Sequence, residues 1–280
     1  MKSHSILASG LRFPEGPAFQ SDGTLWCVEQ EGEGLFCLRP DGSQERVHTG
    51  RGSRPNGLCI DSLNRLWFCD SGRNAICCIN AAGQEPEVIV DRVNGEPLSM
   101  PNDLIFDSAG NLIFTCPGPP EQGGEGLGYV CVCTPVGEVH KIAQRLSYPN
   151  GLALLPDRNT LLIAETVRKR IWYGYWNANA SDLAWEHPDV WAETGDEGHG
   201  PDGMKVGPDC ETVYTAVYGS SKIKLYTLQG RHLRDIRLPG ENPTNCAFDP
   251  TGRLGMVVTE SQTGQIISFR MNSQGECEDF

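Results

Sequence analysis

The 280-residue chain has no apolar stretch approaching the roughly 20 residues of a membrane-spanning helix. Its first residues, MKSHSILASGLRF, lack the long apolar core of a signal peptide, so a cytoplasmic address is expected. Basic charge is scarce. The 23 Lys and Arg face 36 Asp and Glu, a formal −13 that opposes phosphate backbones and anionic membranes, so neither nucleic acid nor a membrane is expected as a partner. No G-x-S-x-G occurs, which removes the nucleophile elbow of a serine hydrolase. No window carries helical periodicity. Twelve cysteines are present, yet none forms a C-x-x-C pair, and most sit in strand-like runs such as LWCVE, GLCID, LWFCD and YVCVC. They read as small buried hydrophobes rather than as a zinc or disulfide framework.

What the chain does have is a recurrence. A proline followed at once by a side chain bearing oxygen appears six times, as Pro14-Glu15, Pro55-Asn56, Pro101-Asn102, Pro149-Asn150, Pro201-Asp202 and Pro243-Thr244. The steps between prolines are 41, 46, 48, 52 and 42 residues, in the range of a four-stranded propeller blade. Each unit continues with short apolar runs rich in β-branched and aromatic residues, separated by Gly, Asp, Asn and Pro turns. One blade cannot bury its own faces, so the reading is a single all-β domain over residues 1–280, a six-bladed β-propeller. The leading strand-like stretch SILASGLRF has no blade of its own, and the last unit ends early, so the N-terminal strand is expected to pair with the C-terminal sheet and close the ring. Residues 116–128 and 176–200 depart most from the minimal unit and read as long insertions.

If one position recurs around a ring, the six side chains after the prolines converge on its axis. Two carboxylates, Glu15 and Asp202, would repel there unless a cation neutralised them, and the amides of Asn56, Asn102 and Asn150 complete an oxygen cage. Calcium suits such donors best, with zinc, manganese or magnesium as alternatives, and no His or Cys occupies the motif position. The blander alternative is that the motif only makes the opening turn of each blade, most plausibly at Asn56 and Thr244.

The segments F-P-E-G-P at 13–17, M-P-N-D at 100–103, Y-P-N-G-L at 148–152 and G-P-D-G-M at 200–204 resemble the SMP-30/gluconolactonase/LRE family, over essentially the whole chain. The resemblance implies a six-bladed propeller with lactonase activity on a small-molecule lactone. It also implies one divalent metal held by Glu15, Asn150 and Asp202, and a substrate-facing Asn102 with Asp103 beside it. Sugar lactonases of the regucalcin type carry an Arg where this chain has Met100, so the pocket wall is expected to be less polar there. Glu121 and Glu125 lie near where the family places a further substrate-contacting carboxylate. Asp202 is the expected general base, Asn56 a further substrate contact, and His199 a candidate for the mouth. A metal-dependent phosphotriesterase and a non-enzymatic calcium-binding or interaction propeller remain as alternatives.

Overall fold

Five of the second and third apolar runs, LWCVE, GLFCL, AICCI, LIFTC and GYVCVC, are buried at every position rather than at alternate ones. Continuous burial means that both faces of these strands are covered. The computed structural model describes residues 4–80, 85–119, 125–178 and 183–272, and it shows what covers them. Six four-stranded antiparallel sheets follow one another, their innermost strands being Pro14–Phe19, Pro55–Ile60, Leu104–Phe106, Pro149–Leu154, Gly200–Val206 and Pro243–Phe248. Apolar side chains of each sheet pack against the next. The blade-one residues Trp26, Val28 and Leu35 meet Leu58, Phe68 and Ile79 of blade two, and four further clusters carry the packing round to blade six. A sixth cluster joins Val257 and Ile266 of blade six to Leu25, Cys27 and Phe36 of blade one.

The outer strand of the last sheet is His4–Ala8, antiparallel to Gln265–Phe269. Ala8 and Leu11 pack into the cluster between blades six and one. Nine of the eleven described cysteines are buried, none is in a disulfide, and burial raises thiols such as Cys59 and Cys131 well above their ordinary range. The segment 176–200 differs from the insertion expected. Ala184–Glu193 is the outer strand of blade four, and Pro188 is tolerated because an outermost strand leaves one row of backbone groups unpaired. Among the described residues no helix is long and apolar enough to cross a membrane.

Two sets of recurring carboxylates are structural. An aspartate closes the turn after each inner strand by accepting a backbone N–H two residues on, at Asp22, Asp61, Asp107, Asp157, Asp209 and Asp249. At the end of the second strand in four blades, Glu29, Asp70, Glu165 and Glu260 accept the N–H groups of Arg12, Arg54, Ser147 and Asn242, just before the motif prolines. Charge-assisted bonds of this kind contribute about 1.5–3 kcal/mol each. They pin the segment that carries each axial residue.

Candidate active site

Immediately after the motif proline, five of the six inner strands slip register against their neighbours. Such a bulge re-aims a side chain away from the sheet face, here toward the axis. The result is a cavity of about 320 Å³ walled by Glu15, Asn56, Asn102, Asn150 and Asp202, together with Phe13, Gln30, Tyr148, Thr166, His199 and Tyr218. Five of the six expected axial residues therefore meet. Thr244 does not join them: it is fully buried, and its hydroxyl donates to Pro14 O at 2.9 Å, tying blade six to blade one.

Three carboxyls of this region stand apart from the structural ones. Burial raises Glu15 well above the usual carboxylate range, and the charges of Asp202 and Asp103 raise it further, while Lys205 and the Asn245 amide oppose the shift. Burial and then Asp103 do the same to Asp202, against the Asn150 side chain and the Gly203 N–H. Asp103 is raised by burial and opposed chiefly by Lys205. The phenol of Tyr148 is pushed up to about 12 by burial and by Asp202. Among the described residues neither Glu15 nor Asp202 forms an ion pair with Lys or Arg.

Asp103 sits behind the wall rather than in it. It is 2% exposed, its Oδ1 accepts Leu104 N at 2.8 Å, and its Oδ2 has no hydrogen-bond partner. The residue after each axial side chain is glycine in four blades, at 16, 57, 151 and 203, and Asp103 and Asn245 in the other two. The glycines make room. A Cβ on Gly57 would stand 2.4 Å from Asp103 Oδ1, and one on Gly203 would stand 1.9 Å from Asn245 Cγ. Asn245 Oδ1 accepts Cys246 N at 2.9 Å, which leaves its NH₂ to face the carboxylates.

The remaining expectations divide. Met100 is half-buried with its N–H on Asn74 Oδ1, and it is not part of the cavity wall. Glu121 lies outside the described residues, and Glu125 is exposed beside Arg168 at 3.4 Å. His199 does line the mouth, its ring 5.7 Å from that of Tyr218, which in turn stacks on Phe13 at 6.4 Å. Sequence reasoning missed Phe13 and Tyr148, although a signal existed: each directly precedes a motif proline. Both adopt left-handed backbone, with φ of 55° and 62°, as does Met100 at 53°. That strain costs on the order of 1–3 kcal/mol per residue, and it gathers where side chains must be aimed.

No three His, Cys, Asp or Glu side chains among the described residues are drawn tightly enough together to hold a metal alone. A metal here would share amide oxygens with Glu15 and Asp202. That donor set, all oxygen and with two carboxylates lacking a cationic partner, fits a hard divalent cation.

The profile of the SMP-30/Gluconolactonase/LRE-like region matches residues 13–262. A gluconolactonase of Zymomonas mobilis is 27% identical over 96% of this chain and 82% of its own. The diisopropyl-fluorophosphatase of Loligo vulgaris is 26% identical, over 94% of this chain and 90% of its own. Among solved structures, a gluconolactonase from Xanthomonas campestris superposes with a TM-score of 0.81 at 26% identity, covering 95% of this chain and 89% of that one.

Proposed function

The chain belongs to the SMP-30/gluconolactonase/LRE-like family, and we propose that it is a metal-dependent lactonase that opens a cyclic ester in the axial cavity. The observation that carries this reading is the pairing of buried Glu15 with half-buried Asp202, two carboxylates without an ion-pair partner, in a cavity otherwise walled by amides, aromatics and the Thr166 hydroxyl. The likeness to a gluconolactonase over 96% of the chain supports it.

Glu15, Asn150 and Asp202 would hold the cation, calcium being the best match for the donors. When bound, such an ion polarises the lactone carbonyl and stabilises the negative charge that develops on its oxygen. Asn102 and Asn56 present amides to the ring and exocyclic oxygens of the lactone. Asp202 takes the proton of the attacking water, a role worth about 10²–10⁴ in rate. Tyr148, whose phenol stays protonated at neutral pH, is a hydrogen-bond donor beside Asp202. Phe13, Tyr218 and His199 form the rim through which substrate enters. A second reading, hydrolysis of a phosphorus ester, draws on the likeness to the Loligo diisopropyl-fluorophosphatase, because a cation held there that would polarise C=O would also polarise P=O.

The test is a panel of aldono-lactones, simple aliphatic lactones and a phosphotriester, each assayed with several divalent metals. Lactone opening should stop on chelation and return with added calcium. Full turnover by extensively chelated protein would refute the metal-dependent reading.

A further inference from the structure

Beside the axial cavity, where the chain enters blades one and two, lies a second hollow of about 570 Å³ walled by Arg12, Gln30, Glu31, Glu33 and Arg54. The two are neighbours. Gln30 walls both, and Arg12 and Arg54 stand one and two residues before Phe13 and Asn56 of the axial wall. Both arginines occupy the pinned position described above, with their backbone N–H groups on Glu29 Oε1 at 3.0 Å and Asp70 Oδ1 at 2.9 Å. Their side chains are not needed to balance those carboxylates, because Arg46 holds Glu29 Oε2 at 2.7 Å and Arg73 holds Asp70 Oδ2 at 2.8 Å. Among the described residues neither the Arg12 nor the Arg54 guanidinium makes a hydrogen bond or an ion pair. The corresponding pinned residues of blades four and six are Ser147 and Asn242, so the guanidinium pair belongs to this side of the ring.

The hollow offers hydrogen bonds and little else. The two guanidinium groups and the Gln30 amide donate, Glu31 and Glu33 accept, and among the described residues no apolar side chain lines it. The Gln30 amide and the Glu31 carboxylate have no partner among the described residues. Glu33 places one oxygen on Gly52 N at 2.7 Å and the other 3.9 Å from His48 Nε2. Two positive and two negative side chains leave no net charge, which disfavours an anion, and the polar lining disfavours a hydrocarbon tail. A sugar meets both conditions, because its hydroxyls are neutral and each both donates and accepts. We propose that this hollow is a second subsite, for a glycosyl unit, and that the preferred substrates are lactones of disaccharide aldonic acids. The lactone ring sits in the axial cavity, and the attached sugar lies across Gln30 against Arg12 and Arg54. The proposal rests on the lactonase reading above and gives that site its substrate class.

The experiment has two arms, both on the full-length protein. In the first, kcat/KM is measured at saturating calcium for gluconolactone, for maltobionolactone and cellobionolactone, which add a glucosyl unit to it, and for a phosphorylated gluconolactone. The disaccharide lactones should be preferred over gluconolactone by about 10–100-fold, the worth of a charged hydrogen bond to the added sugar. The double variant Arg12→Met with Arg54→Met should bring that ratio close to one; both side chains are exposed, so the fold is kept. Glu31→Gln keeps an acceptor oxygen and should leave the ratio within about threefold of wild type. A wild-type ratio near one, or a preference that survives loss of both guanidinium groups, would overturn the subsite while lactone opening stands. A preference for the phosphorylated lactone that the double variant loses would make this an anion site and overturn the glycosyl assignment. In the second arm, binding of maltose and cellobiose is followed by saturation-transfer NMR. Binding by wild type that the double variant loses supports the subsite even if no lactone is opened, a result that would overturn the lactonase reading alone. A protein that opens no lactone and binds neither disaccharide would overturn both.

Discussion

Asp202 has two proposed duties, ligand and base, and one pair of substitutions separates them. Asp202→Asn keeps an oxygen of nearly the same shape and removes the basicity. Glu15→Gln removes one negative charge from a neighbour that has only the ligand duty. Each carboxylate raises the cost of ionising the cluster, since Asp202 is the largest charge acting on Glu15 and burial penalises both. Either variant therefore relieves its neighbour and weakens the hold on a divalent ion in the same sense, so metal affinity alone does not distinguish them. The rate at saturating metal does. If Asp202 is the base, its loss costs about 10²–10⁴ in kcat, or roughly 2.7–5.5 kcal/mol in the barrier, and added metal does not restore it. Glu15→Gln should recover most of its rate once calcium is saturating. The assay is kcat for lactone opening against calcium concentration, with occupancy read independently by calorimetry. Recovery of both variants to similar rates at full occupancy would refute the base assignment, leaving Asp202 a ligand only.

Other outcomes follow from the same geometry. Glu15, Asp103 and Asp202 have raised folded-state pKa values, so the folded protein without metal holds protons that the unfolded chain has released. Its stability to urea should fall as pH rises above the ordinary carboxylate range, and saturating calcium should flatten or reverse that slope. Gly203→Ala puts a Cβ 1.9 Å from Asn245 Cγ, so it should destabilise by about 1–3 kcal/mol in urea unfolding. With Met100 in place of an Arg, gluconolactone should not be strongly preferred over simpler five- or six-membered lactones, as measured by kcat/KM; a strong preference would mean that another residue supplies the missing guanidinium.

Much of the fold was legible because the motif proline stands first or second in the inner strand of five blades and three residues before it in the third, and because hairpin turns recur with the same aspartate. The axial carboxylates were legible for the same reason: a repeat converts a position in sequence into a position on an axis. Thr244 shows where that logic stops. It occupies the motif position, yet its hydroxyl is spent on Pro14 O, a partner 230 residues away that no local pattern announces. Asp103 was read as a neighbour of substrate because it follows Asn102, but the glycine beside it in blade two lets it settle behind the wall. The outer strand of blade four was mistaken for an insertion because WNANASDLAWEHPDVWAE combines turn residues with a proline, and only an edge position makes that composition compatible with a strand.

The pairing of His4–Ala8 with Gln265–Phe269 has a consequence in time. The strand His4–Ala8 cannot find its partner until the five blades and most of the sixth that separate the two in sequence have been made. Contacts of such sequence separation are slow to form, so joining blades six and one is the natural last event of folding. Glu15 belongs to blade one, whereas Asn245 and Asp202 belong to blades six and five. A chain can thus acquire nearly all of its β-structure while its axial carboxylates are still apart. In a refolding experiment, recovery of turnover should lag behind recovery of the far-ultraviolet signal, and the length of that lag is the time the ring takes to shut.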